Sequence, residues 1–196
     1  PENLYLTYQK TTDPVKLFFA FISENKNLFS TSVYQKIQKI QNYDLSDQAK
    51  LVELGSIVSN YFLTLDSDER TKLENDLENA TKNYLEKNKR TIFTTQINKI
   101  SLSDFSVAAI GEVPGQPLNQ FALDEYQNNL RIATTVGRNF WSFPFSSSNL
   151  ESVNDVYVLD KNLKITGQIQ DLGVGERIYS VRFLSDLGYV VTFKET

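Results

Sequence analysis

Three short stretches decide the fold: "NLYLTY" (Asn3–Tyr8), "NLRIAT" (Asn129–Thr134) and "GYVVTF" (Gly188–Phe193). Each has the length and the β-branched or aromatic content of a strand, and they superpose with Tyr5, Arg131 and Tyr189 in register. Ahead of the last two lie "FALDEY" and "FLSDLG", which share Phe-x-x-Asp: Phe121 and Asp124 against Phe183 and Asp186, both pairs 62 residues apart. A second match sets "IGEV" at Ile110–Val113 against "TGQI" at Thr166–Ile169. Four strand types therefore recur in one order, here called first to fourth.

The complete set runs Leu118–Tyr126, Leu130–Val136, Val156–Asp160 and Leu163–Gln170. Before it come a second strand (Leu4–Tyr8), a third (Thr91–Ile100) and a fourth (Phe105–Val113). After it come a first (Arg177–Leu184) and a second (Gly188–Phe193). Four-stranded units repeating along a chain predict a β-propeller. The expected class is α+β: a partial β-propeller of four-stranded antiparallel blades, about two blades' worth, with an inserted bundle of three to four helices. Residues 1–8 and 91–196 form the blades, and residues 9–90 form the insertion.

The helices are written between Thr12 and Arg90. Asp13–Pro14 supplies a capping side chain and then a proline where its missing N–H costs nothing. Val33, Ile37 and Ile40 share one face at helical spacing. Ser46–Asp47 opens the next helix, with Leu51, Leu54, Ile57, Val58, Tyr61, Phe62 and Leu65 as its apolar stripe. Asp66 and Glu69 stand at capping-box spacing ahead of Leu73, Leu77, Ala80 and Tyr84. The acids Asp66, Asp68 and Glu69 lack the glycine and later ligands of a calcium loop, so they read as a helix start. "NAT" at Asn79 matches a glycosylation acceptor but falls inside a helix.

Both large excursions, the helical block and the loop Gly137–Asn154, join a second strand to a third. Antiparallel strands alternate direction, so second-to-third and fourth-to-first links emerge at one end of the blades. The bundle, the loop "GRNFWSFPFSSSN" and the turns "PGQP" and "DLGVGE" are thus expected on a common face.

Taken together, "GEVPG…LNQFALDEY…LRIATT", "VYVLDKNLKITGQI" and "GERIYSVRFLSDLGYVVTF" resemble secreted proteins with a C-terminal β-propeller domain distantly related to WD-repeat propellers. The resemblance covers about Thr91–Phe193 plus "NLYLTY". It implies an extracellular or envelope-anchored archaeal or bacterial protein with no assigned activity, of which this chain would be the amino-terminal part of the propeller. It carries over no catalytic residues and gives the helical stretch no role.

The composition excludes several chemistries. Cys, His and Met are absent, which removes thiolate and imidazole metal sites and the Ser–His–Asp and Cys–His triads. No cofactor or metal is expected. The net charge is −4 with 20 Lys and Arg, and the short basic run Lys87–Arg90 suits a helix C-terminus better than a nucleic-acid face. No apolar run approaches the length of a membrane span.

Candidate positions follow from the common face. Phe140, Trp141, Phe143 and Phe145, beside Arg138, put four large rings within six positions; they either pack beneath the helical bundle or form a partner or ligand patch. Glu112 and Glu176 flank the fourth-to-first turns on the elaborated face, where two carboxylates either do acid–base work on a glycoside or stand as solvated rim charges, the commoner case. Asp124 and Asp186, before their hairpin turns, are expected to bind turn N–H groups rather than to catalyse. The leading expectation is a non-catalytic extracellular binding or scaffolding module for protein or cell-surface polymer. The alternatives are an envelope hydrolase acting on glycan or peptide with carboxylate chemistry, and a surface-layer component. A propeller cut open exposes strand edges, so pairing between chains through Arg177–Phe193 or Leu4–Tyr8 is also expected.

Overall fold

A computed structural model describes residues 2–137 and 150–194 of the chain. It divides into two compact units, a strand unit of residues 2–11, 88–137 and 150–194 and a helical unit of residues 12–87.

Within the helical unit, α1 (Pro14–Glu24) starts where Asp13 Oδ1 accepts from the Val15 N–H at 2.8 Å and proline opens the first turn. It buries Val15, Phe18, Phe19, Phe21 and Ile22. Helix α2 (Thr31–Gln41) is capped by Ser30 and buries Val33, Ile37 and Ile40, the face read from the sequence. Ser46 caps α3 (Asp47–Phe62), whose stripe is narrower than expected: Leu54 and Val58 are buried, while Leu51, Ile57, Tyr61 and Phe62 are half-exposed. Helix α4 (Ser67–Ile92) opens with a reciprocal capping box, Glu69 N–H to Asp66 Oδ1 at 2.9 Å and Asp66 N–H to Glu69 Oε2 at 3.2 Å. Asp66 and Glu69 are thereby committed to the helix start, which accounts for them without a metal.

The strand unit holds three antiparallel sheets. The first is ordered β1 (Asn3–Thr11), β2 (Phe93–Ser101), β3 (Val107–Pro114); the second β4 (Leu123–Tyr126), β5 (Asn129–Val136), β6 (Val153–Leu159), β7 (Ile165–Leu172); the third pairs β8 (Arg177–Leu184) with β9 (Leu187–Phe193). They hold second-third-fourth, all four, and first-second strand types respectively. Among the described residues the sheets form no closed ring. Several boundaries move: β1 reaches Thr11, beyond Tyr8; β4 starts at Leu123 rather than Leu118; β6 starts at Val153 rather than Val156; β7 runs Ile165–Leu172 rather than Leu163–Gln170; and α4 persists through Ile92, so the expected strand start at Thr91 is a helix end. Lys89 and Arg90 lie in that last turn, where cations favour the helix dipole.

The sheets pack through alternating faces. Ile97 and Val113 of the first sheet meet Leu130, Ile132, Tyr157 and Leu159 of the second in one buried cluster. Ala133 of the second sheet meets Ile178 and Val181 of the third in another, with Val156 and Val190 packed against it. Leu163, at the β6–β7 turn with a φ of 59°, plugs the first cluster. Gly111 is needed opposite it, because a Cβ there would stand 2.5 Å from Leu163 Cβ.

The hairpin turns correct the repeat alignment. Gln127 and Asn128 both take positive φ, as a two-residue turn of the strand-matching type requires, and Tyr126 pairs with Asn129. In the third sheet Leu184 pairs with Leu187, so Ser185 and Asp186 form the turn. The register that aligns Arg131 with Tyr189 therefore holds across the hairpins, whereas the Phe-x-x-Asp match does not. Asp124 lies in a strand opposite Arg131, and its counterpart is Arg182 opposite Tyr189. Hairpin register is fixed by the two-residue turns, Gln127–Asn128 and Ser185–Asp186, and not by the positions of the Phe and Asp residues.

Candidate functional site

The strand unit gathers its links at one end. Strand β1 ends at Thr11, paired with Phe93 at the start of β2, and the Gly115 N–H after β3 donates to the Phe93 carbonyl at 2.9 Å. Gln116 then forms an isolated bridge to Thr135 near the end of β5, while Thr134 Oγ1 donates to the Pro114 carbonyl at 2.8 Å. Gly115 is obligatory in this crossing: its φ is 78° and a Cβ would lie 2.6 Å from the Thr135 carbonyl oxygen. The second fourth-to-first link behaves alike. The Gly175 N–H donates to the Ser152 carbonyl at 2.8 Å and Ser152 Oγ to the Glu176 carbonyl at 2.7 Å. A cavity of about 230 Å³ opens here, lined in part by Gln9, Gln116, Pro117, Gly137 and Ile178.

Asn154 is the hub of this end. It is fully buried. Its Nδ2 donates to the carbonyls of Leu172 at 3.0 Å and Glu176 at 3.2 Å, and its Oδ1 accepts from Thr135 Oγ1 at 2.7 Å and the Ile178 N–H at 3.1 Å. One amide thus satisfies backbone groups of β7, β8 and the link between them, which no apolar side chain could do.

Beside it lies a buried ionic cluster. Asp155 has 0% of its side chain exposed and takes a two-point contact from Arg90, Nε at 2.9 Å and Nη2 at 3.0 Å. Arg90 also reaches Asp171 Oδ1 at 2.8 Å. The Tyr157 hydroxyl donates to Asp155 Oδ2 at 2.7 Å and the Asp171 N–H to Oδ1 at 3.0 Å. Burial alone pushes the Asp155 carboxyl up, but Arg90, Tyr157 and the Asp171 N–H together hold it below the usual carboxylate range. Burial raises the Tyr157 phenol, and its bond to Asp155 raises it further. A carboxylate with every lone pair engaged is a structural anion rather than a proton carrier.

The sequence-derived candidates fall in different places. Arg138, Phe140, Trp141, Phe143 and Phe145 lie outside the described residues. Glu112 stands within β3, ion-paired to Lys10 Nζ at 2.6 Å, and its bonds from Lys10 and Thr94 hold its carboxyl below the usual range. Glu176 sits in the β7–β8 link, where Oε2 accepts from Thr192 Oγ1. Asp124 does not bind turn N–H groups as expected. Its carboxylate accepts from Arg131 Nε at 3.1 Å, and that guanidinium lies 4.7 Å from the Tyr126 ring centroid and 4.9 Å from that of Phe183. The Gln127–Asn128 turn is instead closed by Asn129 Nδ2 on the Gln127 carbonyl at 2.9 Å. Asp186 is a turn residue by position. Lys87 pairs with Glu24 at 3.0 Å, so the basic run is divided between a helix-surface pair and the Asp155 cluster.

Sequence reading missed Arg90, Asn154, Asp155 and Asp171. No local spacing links Arg90 to Asp155, 65 residues away. Among the described residues no group of three or more acids is placed to hold a metal, and no helix is long and apolar enough to cross a membrane.

Comparison with known proteins supplies the family. An uncharacterized protein of Archaeoglobus fulgidus is 42% identical over 98% of this chain, and uncharacterized protein MJ1554 of Methanocaldococcus jannaschii is 40% identical over 99%. The chain spans 29% and 30% of the length of these two relatives. No solved structure matches it. The sequence model of the beta propeller domain matches residues 1–196 in full, and the chain belongs to that family.

Proposed function

We propose that the chain is a non-catalytic binding or scaffolding module of an extracellular or envelope-anchored propeller protein, engaging protein or cell-surface polymer at the link-bearing end of its blades. One observation carries this reading. The helical insertion and the segment 138–149 both occupy second-to-third connections, and the described feet of those connections are hydrogen-bonded to the fourth-to-first links at that same end. Long connections that leave a strand scaffold at one end are how binding loops are ordinarily presented. The secreted setting and the WD-repeat kinship rest on the sequence resemblance alone.

The hydrolase alternative needs one carboxyl kept protonated as a general acid. Glu112 is instead held ionised by Lys10, and Glu176 is bonded to Thr192. The test is binding of purified cell-surface polysaccharide by the chain, with and without residues 12–87. Thr11 and Phe93 are direct strand partners, so residues 88–92 suffice to close the hairpin. Saturable binding that falls when the insertion is removed supports the proposal. Release of shortened polymer overturns it in favour of the hydrolase.

A further inference from the structure

The two first-type strands of the strand unit each begin with a bare aromatic ring. Asp124 of β4 and Arg182 of β8 hold equivalent positions, opposite Arg131 and Tyr189, so three residues earlier Phe121 corresponds to Tyr179. Phe121 is 68% and Tyr179 74% exposed. Both stand where the regular strand breaks. Phe121 is the middle residue of a 3-10 turn, Gln120–Ala122, and its N–H donates to Asn119 Oδ1 at 2.9 Å. Tyr179 is the extra residue of a bulge: Ile178 pairs with Thr192 and Ser180 with Val191, which leaves Tyr179 without a cross-strand partner. Two different irregularities thus turn a ring out at one repeat position, while Ala122, Ile178 and Val181 beside them stay buried.

A cavity of about 480 Å³ runs between these two strand starts, lined by Asn119, Gln120 and Phe121 on one side and by residues from Tyr179 to Leu184 on the other. Both walls lie within the strand unit at the junction of the second and third sheets, where Ala122 packs with Ile178 and Val181. The volume suits a ligand of several rings. The two aromatic side chains offer flat apolar surface at little cost in conformational entropy. Beside them, the Gln120 amide and Asn119 Nδ2 have no hydrogen-bond partner among the described residues, and side-chain amides serve ligands as donors and acceptors. Charge does not set the specificity: Asp124 is held by Arg131, and Arg182 alternates away from Val181, which is buried against the second sheet.

We infer that this cavity binds a neutral glycan chain, with sugar rings stacked on Phe121 and Tyr179 and their hydroxyls bonded by Asn119 and Gln120. The inference deepens the proposed function and rests on it, since the first-type strands start at the link-bearing end. A sugar matches both halves of the lining: it has a C–H face for the aromatic rings and hydroxyls that donate and accept for the amides. The same ring repeated in successive sheets suits a ligand that itself repeats. An extended peptide would have to add to the edge of β4 or β8, and the 3-10 turn and the bulge interrupt the ladder it needs.

Isothermal titration calorimetry of the 196-residue chain with neutral hexaoses of glucose, mannose and galactose tests it. Wild type is expected to bind at least one of them, and Phe121→Ala and Tyr179→Ala each to weaken that binding about tenfold. Both side chains are largely exposed, so the two variants are expected to keep the wild-type circular dichroism spectrum and urea midpoint. Tyr179→Trp should keep the affinity and Tyr179→Leu lose it, a difference that stacking requires and general apolarity does not. A chain that binds none of the hexaoses overturns the inference; the proposed function survives that result if purified cell-surface polysaccharide still binds in a manner that depends on residues 12–87. Undiminished hexaose binding in both alanine variants overturns the assignment of the cavity. Binding of a valine–threonine decapeptide in place of the hexaoses overturns it in favour of strand addition.

Discussion

Arg90→Leu is the most informative single change in the strand unit. It removes both contacts to a carboxylate with no exposed side-chain surface and leaves Asp155 with the Tyr157 hydroxyl and the Asp171 N–H. Breaking a buried ion pair from one side costs about 3–5 kcal/mol, because an unpaired charge stays behind. Arg90 keeps 26% of its side chain exposed, so water softens the loss and the lower end, about 3 kcal/mol, applies. Equilibrium urea unfolding followed by circular dichroism reads this at neutral pH.

The pH dependence supplies the sharper test. In wild type the folded Asp155 carboxyl lies below its unfolded value, so its contribution is present above that unfolded value and fades as pH falls through the folded one. Without Arg90 burial dominates and the folded value rises above the unfolded one. The residue then favours folding only in acid and opposes it as pH climbs. The deficit of Arg90→Leu is therefore largest at neutral pH and shrinks toward about pH 4, near the unfolded carboxylate value. Adding Asp155→Leu to Arg90→Leu should restore part of the loss. A neutral-pH deficit below about 1 kcal/mol, which is the scale of an exposed pair, refutes the argument, as does a deficit that does not change with acid.

Asn154→Ala should cost about 2–3 kcal/mol by removing the buried amide that bonds the Ile178 N–H and the Leu172 and Glu176 carbonyls, leaving Glu176 with Ser152 Oγ and Ile178 with the longer contact to Thr135 Oγ1, read as a lowered urea midpoint. Gly115→Ala should destabilise by about 2 kcal/mol or more through its positive φ and the clash with the Thr135 carbonyl. Gly55→Ala in α3 should instead stabilise by about 0.5–1 kcal/mol, since its Cβ meets nothing within 4 Å. Arg131→Lys should lose about 1–2 kcal/mol in thermal unfolding, because an ammonium cannot bridge the Tyr126 and Phe183 rings while holding Asp124.

Local signals were legible in the sequence, and distant ones were not. Asp13, Ser46, Asp66 and Glu69 announce helix starts through bonds spanning two or three residues, so the caps follow from spacing alone. The strand types and their division among three sheets follow from the Tyr5–Arg131–Tyr189 register. The Phe-x-x-Asp match failed because a hairpin obeys its turn, and neither Asp124 nor Asp186 carries a mark of which side of the turn it occupies. The end of α4 was misread because Thr91 and Ile92 favour strands, while the helix ladder and the Arg90–Asp155 contact outweigh that preference. Asn154 and Asp155 look like ordinary strand-edge polar residues. Only the packing of three sheets reveals that one is a hub and the other a buried anion.

The nine-rung ladder between β1 and β2 has a kinetic consequence. Its closing rung, Thr11 with Phe93, spans residues 12–92, the whole of the four helices. Bringing those ends together through an unstructured segment of that length would cost about 2.5 kcal/mol more entropy than through a five-residue turn. A helical unit that condensed first would shorten the effective tether, so refolding is expected to run from the helices to the first sheet. Mutations that slow the collapse of α1–α4 should delay the β1–β2 ladder while leaving the β4–β7 meander on schedule, since its described hairpins close through short local turns.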